Sequence, residues 1–253
     1  MSVPTTRDPF WSRTPGKPPR IFAHRGGGSS GFENTISSYV LAAQSGVDGI
    51  EIDVSYTSDG KLVCFHDATL KRISGGRQRL RDSTFRTLRS IPLEGNERIP
   101  LLEEAFEALP SSVAVILDIK TCGIMDRGMI GAVHGFLKRA AFEDQRLVSV
   151  TSFNYVALRL LARCAPDLRT GFILRADSAH TRLGMVSFFS KDYKAVHPQA
   201  PMVTRKLVTA WHKAGLDVIP WTVNERMEAI KLAGDGVDGI ITDQPAAVRE
   251  AVQ

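Results

Sequence analysis

The sequence predicts an α/β protein, a closed ring of eight parallel strands wrapped in helices, the (β/α)8 barrel. Short apolar runs alternate with helical patterns from Arg20 onward, and such alternation implies parallel strands joined by helical crossovers. Eight runs read as strands: 21–24, 49–55, 113–120, 147–153, 170–174, 194–198, 217–223 and 238–243. Finally, GVDGIEID (46–53) and GVDGIITD (236–243) share one frame: helix stop, tight entry, apolar strand, terminal Asp. Equivalent βα units at opposite ends of the chain suit a ring whose first and last strands pair. An open doubly wound sheet is the alternative architecture.

Residues 1–19 come first and carry five prolines, which predicts a loose, extended arm before a barrel domain at 20–253. The stretch lacks the apolar core of a secretory signal, so the expected compartment is the cytoplasm. No apolar run reaches membrane-spanning length.

The first strand, IFAH (21–24), runs into RGGGSSGFENT. Gly26, Gly28 and Gly31 match G-x-G-x-x-G, with Glu51 about 20 residues beyond, as a dinucleotide loop would have it. Such a loop needs a helix that starts within the glycines and an acid that ends the second strand. Here the helical period (Ile36, Tyr39, Val40, Ala43) begins after Asn34, the predicted N-cap, and stops at Gly46. Glu51 lies in mid-strand. The glycines are better read as a turn that gives a substrate access to His24 and Arg25.

In the second strand, GIEIDVS (49–55), side chains alternate between faces. Ile50, Ile52 and Val54 share one face, and Glu51 and Asp53 share the other. Two carboxylates roughly 6.5–7 Å apart along a strand repel unless a cation sits between them. A hard divalent ion does this well. VAVILDIK (113–120) repeats the pattern, with Asp118 and Lys120 on one face at the end of an apolar strand. Buried charges are rarely unpaired, so this is either a structural ion pair or a third ligand beside an anion-binding lysine.

KLVCFHD (61–67) places His66 at another strand end, and His24 ends the first strand. Two imidazoles across one site can divide acid and base work near neutral pH. Arg25 can give paired hydrogen bonds to a phosphate. Cys64 shares the face of His66, which raises a Cys–His zinc site as an alternative. The other candidate ligands are hard oxygens and favour Mg²⁺, Ca²⁺ or Mn²⁺. The formal charges of Glu51, Asp53, Asp118, one dication, one phosphodiester, Arg25 and Lys120 sum to zero, which a buried site tolerates.

Residues 67–100 break the alternation with a Gly-Gly turn and no long helical period. They read as an insertion on the face where the site lies. Their eight bases against four acids over 67–99 supply most of the net charge of +5. Such a face is either merely solvated or attracts anions and acidic lipid heads weakly. Further helices are predicted at LLEEAFEAL, RGMIGAVHGFLKRA, NYVALRLLARC, KLVTAWHKAG, RMEAIKLAG and AAVREAV. Cys64, Cys122 and Cys164 are too scattered for a disulfide framework.

HRG (24–26), ENT (33–35), EID (51–53), TSDGKLVCFHD (57–67), IPLLEEAF (99–106), DIK (118–120), PWTVN (220–224) and DGIITDQP (238–245) together resemble the glycerophosphodiester phosphodiesterase family, in family order. The resemblance implies a TIM barrel with a small insertion after the second strand. It implies a divalent-metal hydrolase acting on a small-molecule substrate rather than nucleic acid, and releasing sn-glycerol 3-phosphate and an alcohol. By position, His24 and His66 become the acid/base pair, Glu51 and Asp53 metal ligands, Arg25 and Lys120 phosphate holders, and Trp221 a pocket wall. Asp118 stands where the family usually carries Glu; it is one methylene shorter, which leaves direct metal ligation by this residue open. Two rivals remain: a lysophospholipase D-like or sugar-phosphodiester hydrolase, and a non-catalytic phosphate or lipid-head binding protein.

Overall fold

The computed structural model describes residues 8–27, 33–143, 147–177 and 192–253. Gly28 and Gly31 of the glycine run lie outside them. The barrel strands are β1 (Arg20–His24), β2 (Gly49–Tyr56), β4 (Ala114–Ile119), β5 (Val148–Ser152), β6 (Arg169–Leu174), β7 (Ala195–Pro198), β8 (Asp217–Val218) and β9 (Gly239–Thr242). The sheet order is β8-β7-β6-β5-β4-β2-β1-β9. First and last strands pair as predicted, with Phe22 opposite Ile241. Backbone hydrogen bonds from Asp238 to Val218, from Ile241 to Pro220 and from Val223 to Ile241 join the two ends of the sheet. The ring is therefore closed rather than doubly wound. β3 (Leu62–Cys64) stands outside this path as an antiparallel partner of β2.

The predicted strand 217–223 is regular only over Asp217–Val218. Pro220 has no N–H to give the ladder. The chain nevertheless continues beside β7, with Ile219 donating to Val196 and Trp221 to Pro198.

Helices α1 (Ile36–Gln44), α4 (Leu102–Ala108), α5 (Arg127–Glu143), α6 (Tyr155–Cys164), α7 (Arg205–Lys213), α8 (Arg226–Asp235) and α9 (Pro245–Val252) lie where the periodicities placed them. Their apolar stripes cover the outward faces of the strands in two clusters, one around Ile50, Ile52 and Leu117 and one around Phe172, Val196 and Ile240. Among the described residues no helix is long and apolar enough to cross a membrane.

The N-cap of α1 is Thr35, not Asn34. Asn34 is held at a left-handed φ of 54°, and its amide is occupied elsewhere. Gly46, at φ 76°, ends the helix as expected.

The repeated GVDG frame has a packing cause. Phe22 points into the barrel, and Gly49 and Gly239 face its ring from the strands on either side. The two aspartates before those glycines also act alike. Asp48 accepts the backbone N–H of Ile21, and Asp238 accepts that of Val218.

Residues 8–19 are not a loose arm over their described length. Trp11 is buried and stacks on Phe22 with centroids 5.7 Å apart. Arg169 lies over the Trp11 ring at 4.9 Å, Ser12 donates to Asp217, and the Arg13 amide donates to Asp238. One buried tryptophan outweighs what five prolines suggest about the backbone, because it covers the end of the barrel core.

The insertion holds α2 (Lys71–Ser74) and α3 (Phe85–Ser90). Its few apolar residues are enough for a small core. Leu70, Leu80, Leu88 and Ile99 pack on Val63 and Phe65 of the β3 segment.

Candidate active site

Strand register assembles the acids. β1 pairs with β2 so that His24 sits beside Glu51, and β2 pairs with β4 so that Asp53 sits beside Asp118. All three carboxylates face the barrel interior and are buried. Each offers an oxygen within 4.8 Å of the others. A cavity of about 330 Å³ opens over them, lined among others by His24, Arg25, His66, Lys120 and Trp221. Every site residue expected from sequence thus borders one cavity.

Asp53 is the electrostatic hub. Lys120 Nζ lies 2.7 Å from Oδ1, Arg25 Nε lies 2.9 Å from Oδ2, and Asn34 Nδ2 donates to Oδ2 at 2.8 Å. Burial alone would push this carboxyl up, but Lys120 and Arg25 outweigh it and hold it down at about 2. Glu51 goes the other way. Burial, then the negative charge of Asp53, push it up to about 7. The backbone N–H of Arg25 donates to Glu51 Oε2 at 3.1 Å. Asp118 is also raised, chiefly by burial. Its Oδ2 accepts from Lys120, while its buried Oδ1 has no partner. Burial lowers Lys120, yet Asp118 and Asp53 more than offset this and raise it. Arg25 Nε meets Asp53 as an ion pair without an aligned hydrogen bond.

Both imidazoles rest on a carboxylate through Nδ1. His24 Nδ1 is 2.6 Å from Asp243 Oδ1, and its Nε2 is 4.0 Å from Glu51. Burial works against the charged ring, but the Asp243 hydrogen bond and Glu51 prevail and raise His24. His66 Nδ1 is 2.8 Å from Asp67 Oδ1. The insertion braces this second pair. Arg72 donates to Asp67 at 2.7 Å and to Glu33, which in turn holds Arg25 at 3.0 Å.

Trp221 donates Nε1–H to the His197 carbonyl and meets Phe153 edge-on at 5.7 Å. Cys64 is no ligand. It is buried in the outer hydrophobic cluster, its thiol is 3.9 Å from the Leu101 carbonyl, and burial pushes it up to about 12.

Three polar residues escaped the sequence reading. Asp243 holds His24 and is itself held by Asn224 at 2.8 Å. Asn34 clasps Asp53 at both ends, giving Nδ2–H to its carboxylate and taking its backbone N–H on Oδ1, while Tyr39 donates to that same Oδ1. The signal for Asp243 was present: it closes the GVDGIITD frame at a strand's C-terminal end, where Asp53 closes the first frame. Asn34 and Asn224 fall within the ENT and PWTVN segments that carry the resemblance, but neither lies on a strand face, so nothing local gave them a partner.

The chain is similar to several known proteins over most of its length. A glycerophosphodiester phosphodiesterase of Caldanaerobacter subterraneus is 31% identical, over 92% of this chain and 97% of its own. Another, of Bacillus altitudinis, is 32% identical over 89% and 95%. A solved Oleispira antarctica phosphodiesterase, in complex with the product sn-glycerol-3-phosphate, is 28% identical with a TM-score of 0.82, over 93% and 97% of the two chains. A solved structure from Silicibacter pomeroyi at 24% identity has a TM-score of 0.85 over 96% and 95%, which concerns the fold. The model of the glycerophosphoryl diester phosphodiesterase family matches residues 24–247, and the chain belongs to that family.

Proposed function

We propose that this protein hydrolyses glycerophosphodiesters to sn-glycerol 3-phosphate and an alcohol, with one divalent cation at Glu51, Asp53 and Asp118. The observation that carries this reading is the convergence of three buried carboxylates, two imidazoles and two cations on one cavity. The acids fit a hard dication. Their oxygens are close enough to share one ion, Asp118 Oδ1 is buried without a partner, and the donors are all oxygen, which suits Mg²⁺, Ca²⁺ or Mn²⁺. Such an ion, when bound, neutralises charge developing on the phosphoryl oxygens.

The protein's own groups do the rest. Arg25 and Lys120 sit on Asp53 at the cavity and draw the phosphodiester to its floor. With Nδ1 of each ring committed to a carboxylate, Nε2 of His24 and of His66 is left for proton work. One ring takes the proton of the nucleophile, a water or a neighbouring substrate hydroxyl. The other delivers a proton to the leaving alcohol. Attack by a substrate hydroxyl would give a cyclic phosphate that water then opens.

The adjoining groove described below favours one broader reading of substrate, extending to sugar phosphodiesters. The basic insertion would favour a weak contact with anionic lipid. The deciding experiment incubates the protein with glycerophosphocholine and glycerophosphoethanolamine and follows release of sn-glycerol 3-phosphate. Stoichiometric release supports hydrolysis; binding without release would instead make the protein a phosphate or lipid-head sensor.

A further inference from the structure

Beside the small cavity lies a second, larger groove of about 800 Å³, and His66, Lys120 and Phe153 border both. Its far wall is the insertion, through Arg79 and Arg81, and the opposite wall is the chain after β4 and β5. A diester bound with its phosphorus at the small cavity has this groove open to one of its arms.

The charges in that wall are mostly committed. Arg81 makes a two-pronged ion pair with Asp126, Lys120 is shared by Asp53 and Asp118, and Asp67 is held by Arg72 and His66. Arg79 differs. It is exposed, and among the described residues its guanidinium donates to the Cys122 thiol at 3.2 Å and meets no carboxylate. The groove is equally ill-suited to a quaternary ammonium, which seeks open aromatic faces. Arg81 already lies over the Tyr56 ring at 5.6 Å, and Arg159 over the Tyr155 ring at 5.9 Å. Phe153 alone, edge-on to Trp221, makes no cage.

Building on the phosphodiesterase reading above, we propose that this groove receives the leaving alcohol and that Arg79 selects alcohols bearing an anionic group, a phosphate or carboxylate, over those bearing a quaternary ammonium. A guanidinium answers such an anion with paired, charge-assisted hydrogen bonds. Because Arg79 is exposed, the preference is modest and weakens with salt.

The test compares kcat/KM for glycerophosphoinositol 4-phosphate, glycerophosphoinositol and glycerophosphocholine at low ionic strength. The two inositol esters differ only by the distal phosphate. We expect the phosphorylated ester to be preferred by about 5-fold, the effect of roughly 1 kcal/mol, with the choline ester poorest. Arg79→Gln brings the ratio of the two inositol esters towards one, and Arg79→Glu takes it below one. An unchanged ratio in both variants, or a native preference for the choline ester or for lysophosphatidylcholine, overturns the proposal while leaving hydrolysis standing. Failure to cleave any of these diesters removes both this proposal and the function on which it rests.

Discussion

Gly49 and Gly239, almost two hundred residues apart in sequence, press on the two sides of one phenylalanine ring. A Cβ built on Gly49 would lie 2.7 Å from Phe22 Cδ1, and one on Gly239 would lie 2.7 Å from Phe22 Cε2. Real side-chain carbons do not approach so closely, so each strand next to β1 must present hydrogen there. Gly49→Ala or Gly239→Ala is therefore expected to destabilise the fold by about 1–3 kcal/mol, the usual cost of overpacking. Urea unfolding measures it. Phe22→Leu should restore part of the loss in the Gly239→Ala background, and less in Gly49→Ala, where the added Cβ also meets the Ala114 carbonyl at 2.7 Å; no recovery in Gly239→Ala would mean that the clash is not with the ring.

The proposed proton transfer through His24 and His66 sets the second expectation. His24→Ala and His66→Ala should each lower kcat by about 10²–10⁴-fold while the protein stays folded. Asp243→Asn should lower kcat with little change in KM, because Asp243 acts on His24 from the side away from Glu51. Steady-state kinetics decides, and a variant with a normal kcat would remove that residue from the mechanism.

Asn34 holds Asp53 through both its carboxylate and its backbone N–H. Residues that orient a metal ligand in this way typically contribute about 10–100-fold to metal affinity. Asn34→Ala should weaken Mn²⁺ binding by that order, read by calorimetry. An affinity equal to the native protein's would reduce Asn34 to a turn residue.

His197 gives the stability a pH dependence. Burial, then the charge of Arg169, lower its imidazole from 6.5 to about 3. Between those values the unfolded chain takes up a proton that the folded protein refuses, so stability falls as pH drops below 6.5 and this loss stops growing below about 3. The native protein should lose about 1.4 kcal/mol per pH unit more than His197→Gln across that window. Parallel denaturation curves for the two proteins would contradict the assignment.

The barrel was legible because its signals are periodic. Apolar runs and helical stripes located all eight strands and the helices that enclose them, and the paired GVDG frames pointed to a ring closed between its first and last strands. Glu51, Asp53 and Asp118 were legible for a related reason: carboxylates in apolar strands conflict with burial unless they share a purpose. What escaped depends on contacts between distant segments. Nothing local says that Trp11 stacks on Phe22, that Asn34 leaves its expected cap to hold Asp53, or that Leu70 and Leu88 give the basic insertion a core. Asp243 was visible as the end of a strand, but its partner His24 lies 219 positions away.

The central claim, that Glu51, Asp53 and Asp118 together hold one catalytic dication, meets its most direct test in chelator-stripped protein titrated with Mg²⁺, Ca²⁺ or Mn²⁺ while release of sn-glycerol 3-phosphate is followed. The account predicts no turnover before addition, recovery that saturates at one ion per chain, and a weaker midpoint in Asp118→Asn. Full activity in the stripped protein, or an Asp118→Asn titration that overlays the native one, would contradict it.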